Sequence, residues 1–460
     1  MERKKKAKEF ANPYSVTKAF KNGDIFTRLS CIVMGLGNLV RGQIVKGLLF
    51  LGLEIAFIAF MAMKGINFLQ GLVTLGTKKQ EEVYNETKFI YEYVQGDNSL
   101  LFLLYGICTI LLVGVFFFLW RAAIKSAYEA QCRKEAGRRT LTIKDDVRGL
   151  FDQNLHKTLL TIPMICVFAF TILPLIFMAC MAFTNYDRNH QVPGNLFTWV
   201  GLDIFKELFS QGNGFGYAFW HILGWTVVWA VFATFLNYFM GMILAIIINR
   251  KGTKCKGMWR FIFILSIAIP QFVSLLVMGN MLTEGGSINV LLKDLGLIEK
   301  SLPFWTDATW ARITIIIVNL WIGIPYTMMQ TTGILQNIPA DLYEAARVDG
   351  ANPVVIFFKI TLPYMLFVTG PYLITSFIGN INNFNVIFLL TKGAPMSMEY
   401  FNGTGGKTDL LVTWLYHLTI DLKDYNYGAV VAIMVFVISA GFALLAYRHT
   451  GAYKNEEGFQ

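Results

Sequence analysis

Charge is what this chain has least of. Only 15% of its residues are Asp, Glu, Lys or Arg, against 55% that are hydrophobic, and its mean hydropathy is +0.50. A soluble domain carries roughly 25% charge, so a water-solvated globule is excluded. Cysteine is sparse as well. Cys31, Cys108, Cys132, Cys166, Cys180 and Cys255 show no CxxC spacing, and most lie in or beside apolar runs. They read as small apolar fillers, which excludes a disulfide or metal framework. His156, His190, His221, His417 and His449 are scattered without metal-ligand spacing. No nucleophile sits beside a base, so nothing supports a membrane enzyme. The N-terminal stretch MERKKKAKEF is basic but has no apolar segment directly behind it, so it is not a cleavable signal peptide. A phosphate loop is also missing. GTGGKT at 403–408 has the right ending, but the position that needs the first glycine is Phe401. The chain is therefore expected to have no ATPase and no cofactor of its own.

Long apolar runs are present instead. About 20 helical residues cross a hydrocarbon core of about 30 Å. Eight runs reach that length, at about 44–63, 100–120, 157–183, 219–249, 258–282, 310–333, 365–391 and 427–448. The third and fourth are long enough to tilt or to extend past the bilayer. Leu29–Val40 is too short to span and predicts an interfacial helix leading into the first span. Every backbone polar group in lipid must be satisfied within the protein, so the expected fold is an all-α membrane bundle of eight transmembrane helices.

The net charge of +10 does not point to nucleic acid, because the basic residues cluster at the ends of apolar runs. They crowd the N-terminus, the 121–156 connection and the 250–256 turn, whereas 184–218 has only Arg188 and Lys206. By the positive-inside rule both termini are cytoplasmic. The expected organisation is a basic cytoplasmic segment at 1–43, spans one to three within 44–183, a core of spans four to eight at 219–448 and a cytoplasmic tail at 449–460. Few ionisable residues lie deep in the spans. Lys46 is near an end and can snorkel. Glu54 is a functional candidate by default, weighed against a simple hydrogen bond to a neighbouring helix. No relay of acids, lysine or histidine accompanies it, which speaks against a proton-driven secondary transporter.

Between spans six and seven lies PADLYEAARVDGANPVVIFFKITLP, at 339–363, a charged segment punctuated by glycine and proline. Pro339 suits a first helical turn, Gly350 a left-handed stop, and Asn352-Pro353 the cap and start of a second short helix. Leu362-Pro363 is expected to end that unit. Ala345 and Ala346 are small enough to let another surface approach closely. The result is a helix–turn–helix suited to docking in a cleft.

This segment resembles the EAA motif of ABC importer permeases, EAA-x3-G-x9-I-x-LP. Glu344, Ala345, Ala346, Gly350, Ile360, Leu362 and Pro363 keep every spacing. A chance match at seven equiprobable positions is on the order of one in 10⁹ per start site. NLWIGIPY (319–326) and SFIGNINNFNVIFLLTKGAP (376–395) are similar to the sixth and seventh spans of the MalF-type permeases of maltose and maltodextrin importers. The resemblance implies a type I ABC importer transmembrane domain in a bacterial plasma membrane. It also implies a coupling helix seated in a groove of a cytoplasmic ATPase dimer, a second, MalG-like permease subunit and an extracellular sugar-binding protein. It places sugar contacts on Ile322, Gly323, Tyr326, Ser376, Asn380 and Asn383. Two family aromatics are replaced, by Gly379 and Ile267, and the large external domain of Gram-negative members is absent, 184–218 being a short loop. The implied substrate is a maltodextrin, with raffinose-type or galacto-oligosaccharides and lactose as alternatives.

The residues themselves give a compatible reading. On an uninterrupted helix, positions 376, 380, 383 and 387 form one stripe. Its amides and hydroxyl both donate and accept, as sugar hydroxyls require. Asn382 and Asn385 point the other way, and amides there can simply link helices. Tyr326 and Phe384 offer ring faces, and Pro325 is expected to open backbone near Gly323.

Overall fold

The computed structural model describes residues 15–210, 214–250 and 252–448. The basic cluster at 3–8, Lys251 and the 449–460 tail lie outside the described residues. Among the described residues seven helices are long and apolar enough to cross a membrane: Ile44–Thr74, Ser99–Glu135, Leu155–Met181, Gly214–Asn249, Ala308–Gln336, Pro353–Leu390 and Tyr425–Arg448. Lys256–Ala268 and Gln271–Met281 are bent by 85° at a short break; counted together as one broken span, fifth in chain order, they bring the number to eight. The chain divides into two compact units, Met1–Val200 and Gly201–Gln460.

In the first unit, spans one and two meet where side chains are smallest. A Cβ at Gly71 would lie 2.4 Å from the Phe102 ring, and one at Gly106 would lie 2.5 Å from Leu72. Such close approach is how helices associate where lipid removes the hydrophobic drive. Phe57 stacks on Phe116 with centroids 3.8 Å apart. The single interfacial helix expected over 29–40 is not formed. Two short helices, Ile25–Leu29 and Leu36–Leu39, are separated by a turn at Gly35, whose φ of 82° only glycine adopts without strain. They wrap around the buried Arg41 guanidinium, which donates to Asp24 Oδ1 (2.6 Å), Thr27 Oγ1 (2.8 Å) and the carbonyls of Gly37 (2.8 Å) and Ala127 (3.1 Å). Lys46 does not snorkel into water but pairs with Asp146 at 3.1 Å. Glu54 accepts from the Met34 N–H at 2.7 Å, so its hydrogen bond goes to the turn between the two short helices and not to a neighbouring helix. All six cysteines are free.

The second unit is built on the fourth and sixth spans, again packed through glycines. A Cβ at Gly241 would lie 2.0 Å from Thr327 Oγ1, and one at Gly323 would lie 2.6 Å from the Asn237 amide. Trp225, Trp229, Leu275, Ile315, Val318, Val386 and Leu410 form an upper core, and Tyr238, Met242, Met365 and Leu373 a second one. The expected continuous fifth span is broken at Pro270, which has no N–H and disfavours helical backbone at the residue before it. Ile269 is accordingly extended, with ψ 128°. Pro325, by contrast, sits inside an unbroken helix. The GTGGKT stretch is not a nucleotide loop. Gly405–Gly406 pairs antiparallel with Met396–Ser397, and a Cβ at Gly406 would collide with the Gly393 carbonyl at 1.8 Å. Buried Asp409 closes this turn, accepting from Gly406 N (2.7 Å) and Thr413 Oγ1 (2.7 Å).

Candidate functional site

Within the second unit the fourth, fifth, sixth and seventh spans enclose a cavity of about 420 Å³, in the size range of small-molecule sites. Ile322, Gly323, Tyr326, Ser376 and Asn380 line it, together with Ile267. Asn383 does not. The stripe expected on the seventh span ends at Ile381, because the helix breaks at Asn382 and restarts at Phe384–Leu390. Asn383 caps that restart, accepting from Val386 N at 3.3 Å, and its amide donates to Asn380 Oδ1 at 3.3 Å. The sequence signal for this break was the run Asn380–Asn385, rich in residues that compete with helix by bonding nearby backbone. Phe384 is also elsewhere, stacked on Phe388 at 4.7 Å and against Tyr416.

Asn380 is held on three sides. Its amide donates to Thr234 Oγ1 (3.0 Å), its side-chain oxygen accepts from Asn383, and its carbonyl accepts from Trp229 Nε1 (3.1 Å). Ser376 and Tyr372, one turn apart on the seventh span, line the same space. Tyr326 presents about half of its surface. Pro325 does not open the helix, yet it offers no N–H to the carbonyl four residues back, that of Trp321, another lining residue.

Sequence reasoning missed Thr234, Asn237, Gln271, Ser274, Asn319 and Tyr372, all of which line the cavity. Asn237 and Asn319 were visible as amides within apolar runs. Gln271 and Ser274 come into position only because Pro270 turns the fifth span. Asn237 is buried and donates to the Ala233 carbonyl at 2.8 Å, while its Oδ1 has no partner. The lining contains no Asp, Glu, Lys, Arg or His.

The EAA segment forms the exposed helix Ala340–Val348. Pro339 is its cap residue, Gly350 turns with φ 75°, and Asn352 caps the next helix by accepting from Val355 N at 2.9 Å. Glu344, Ala345 and Gly350 are exposed and Ala346 is half-buried. Behind them the Tyr343 hydroxyl meets Thr361 Oγ1 at 3.2 Å, and Tyr343 and Leu362 pack toward Ile338 and Met365. Leu362-Pro363 does not end the second short helix as expected. A π-turn over Phe357–Thr361 carries the helix through to the seventh span, with Pro363 in a first-turn position. Ile360 is half-buried on that turn.

An uncharged polar cavity among membrane spans, with an exposed helix between two of them, is an architecture suited to a solute permease. Comparison with known proteins places it further. Residues 237–450 match the family of binding-protein-dependent transport system inner membrane components. The chain is 35% identical over 439 residues to the maltodextrin transport system permease protein MalC of Streptococcus pneumoniae, covering 93% of this chain and 96% of that one. It is 33% identical over 432 residues to the galactooligosaccharides transport system permease protein GanP of Bacillus subtilis, covering 93% and 98%. The fold is similar to that of a bacterial ABC transporter involved in alginate import, with a TM-score of 0.51, 22% identity, and coverage of 65% of this chain and 96% of that one. The chain belongs to the binding-protein-dependent transport inner membrane components, as a MalF-type permease of ABC importers.

Proposed function

We propose that this permease carries neutral oligosaccharides of the maltodextrin class, with the 420 Å³ cavity as a transient site along its half of the path. The observation that carries the reading is the chemistry of the lining: many amides and hydroxyls, ring faces from Trp321 and Tyr326, and no ionisable acid or base other than tyrosine. Such groups pair with sugar hydroxyls in both senses. A cation-coupled transporter would need charged groups at that depth. Asn380 and Ser376 would meet sugar hydroxyls, Tyr326 a ring face, and Ile322 and Gly323 the remaining wall. Asn383 acts through Asn380, which it orients. A MalG-like subunit completes the path, and an external sugar-binding protein delivers the solute. The helix Ala340–Val348 transmits closure of a separate cytoplasmic ATPase pair, with Glu344, Ala345, Ala346 and Gly350 at the contact and Ile360, Leu362 and Pro363 joining it rigidly to the seventh span. In this reading both termini face the cytoplasm of a bacterial cell, which the lysine- and arginine-rich connections support.

A second reading, galacto-oligosaccharides, is favoured by the GanP relative, which matches over as much of the chain as MalC does. Uptake of labelled oligosaccharides by cells lacking this chain decides between them. Complementation should restore maltodextrin uptake. Asn380→Ala should lower uptake per membrane-inserted protein by roughly tenfold to hundredfold, the effect of one or two unpaired buried polar groups, and Tyr326→Ala should lower it through loss of the ring face. Restoration of galacto-oligosaccharide uptake alone selects the second reading, and normal uptake by both variants refutes the cavity assignment.

A further inference from the structure

The first unit contains a second hollow, of about 600 Å³, beside the second span. Its walls include Ser15, Thr17, Phe117, Trp120, Arg121 and Lys125. Depth comes first. The helix Ser99–Glu135 has 37 residues, about 55 Å at 1.5 Å per residue, so it extends well beyond a hydrocarbon core of about 30 Å. Its apolar run ends at Trp120, and Arg121 and Lys125 are the first cations after it. The hollow therefore lies at headgroup level.

Charge comes second. Arg121 and Lys125 stand one turn apart on one helix face, and no ion pair with either occurs among the described residues. Among the described residues, the acids of this helix and Asp24 are engaged elsewhere: Glu129 with Arg133 (2.9 Å), Glu135 with Gln131 (2.7 Å) and Asp24 with Arg41 (2.6 Å). The Arg121 guanidinium lies 5.8 Å over the Phe117 ring, an arrangement that leaves its N–H groups available. The Trp120 ring is fixed as a wall, because its N–H donates to the Cys31 carbonyl at 2.9 Å. Two cations without an acidic partner among the described residues, with hydroxyl groups beside them, make a phosphate-recognising set. The adjoining Phe117 and Phe118, 50% and 72% exposed, supply a surface for hydrocarbon. A zwitterionic headgroup would bring its own ammonium against both cations.

We propose that this hollow binds the phosphate headgroup of an anionic phospholipid. A free phosphate shares the recognition chemistry but has no use for the aromatic wall. The test uses the full chain with its partner subunits, delipidated in detergent and offered equal phosphatidylglycerol and phosphatidylcholine, with retained lipid read by native mass spectrometry. The wild type should retain phosphatidylglycerol with roughly tenfold to thirtyfold preference, the scale of two cation contacts at a membrane surface. Arg121→Gln/Lys125→Gln should lose that preference, whereas Lys134→Gln/Arg139→Gln, with the same loss of charge, should keep it. Brominated phosphatidylglycerol gives a readout that does not depend on folding of the double variant. It should quench a part of the tryptophan fluorescence that brominated phosphatidylcholine does not, and Trp120→Phe should remove that part. Equal retention of the two lipids, an unaffected Arg121/Lys125 variant, or quenching that survives Trp120→Phe overturns the proposal. Displacement of the lipid by millimolar inorganic phosphate overturns the lipid assignment in favour of a free phosphate.

Discussion

Gly323→Ala tests the packing that shapes the cavity. The added Cβ would sit 2.6 Å from both Oδ1 and Nδ2 of Asn237 and 2.7 Å from its Cγ. Carbon contacts are comfortable at about 3.5–4.0 Å, so three overlaps of roughly 1 Å must be relieved. Asn237 cannot simply turn away, because it is buried and its amide is tied to the Ala233 carbonyl at 2.8 Å. Either that hydrogen bond breaks or the fourth and sixth spans separate. Overpacking of this kind costs about 1–3 kcal/mol, with about 1 kcal/mol more if the bond is lost. The apparent melting temperature of the purified protein should fall by several degrees, at about 2–4 °C per kcal/mol for a unit of this size, and uptake should fall with it. Two comparisons isolate the cause. Gly333→Ala, in the same helix with no atom within 4 Å of its Cβ position, should be neutral or stabilising by up to about 1 kcal/mol. Gly323→Ala combined with Asn237→Ala should recover part of the loss, a coupling that a double-mutant cycle measures. If Gly323→Ala melts and transports like the wild type, or if its cost is the same with and without the Asn237 amide, the reasoning fails.

Other outcomes follow from the proposed coupling helix Ala340–Val348 and the turn closed by Asp409. Glu344→Lys, or Gly350→Asp at a φ of 75°, should leave the permease in the membrane but abolish ATPase co-purification and transport together. In a cysteine-free background, a cysteine at Arg347 should stay unlabelled by an impermeant reagent in intact cells, and labelling there contradicts both the coupling role and the orientation. Burial pushes the Asp409 carboxyl up to about 6, against the pull of His417, Thr413 and the Gly406 N–H. The folded state therefore holds more protons than the unfolded one between pH 4 and 6, and the contribution of this group to stability falls as pH rises through that window. The swing is at most about 3 kcal/mol. Melting of the wild type relative to Asp409→Asn, measured from pH 4 to 7, should show the difference, and parallel curves would exclude it.

Much of this molecule is local in its sequence and was legible there. Spans are set by runs of about 20 apolar residues, because lipid punishes unsatisfied backbone whatever the neighbours are. The EAA segment was legible for a similar reason. Proline starts, asparagine caps and left-handed glycines act through their own backbone, and the helix starts near 340 and 353 and the turn at Gly350 follow from Pro339, Asn352 and Gly350. What depended on distant partners was not legible. Pro270 and Pro325 are the same residue in similar apolar runs, yet one breaks its span by 85° and the other leaves its helix whole. The outcome depends on what packs beside the helix, and the Thr327 hydroxyl reaching the Asn237 carbonyl at 2.9 Å braces the second case. Asn383 likewise carries the right chemistry for the cavity, but a helix break at the preceding residue turns it into a cap. The residue types available to the cavity were set by sequence. Which of them face it was decided by the close approach of helices through Gly241 and Gly323, a geometry that exists only when both helices are in place.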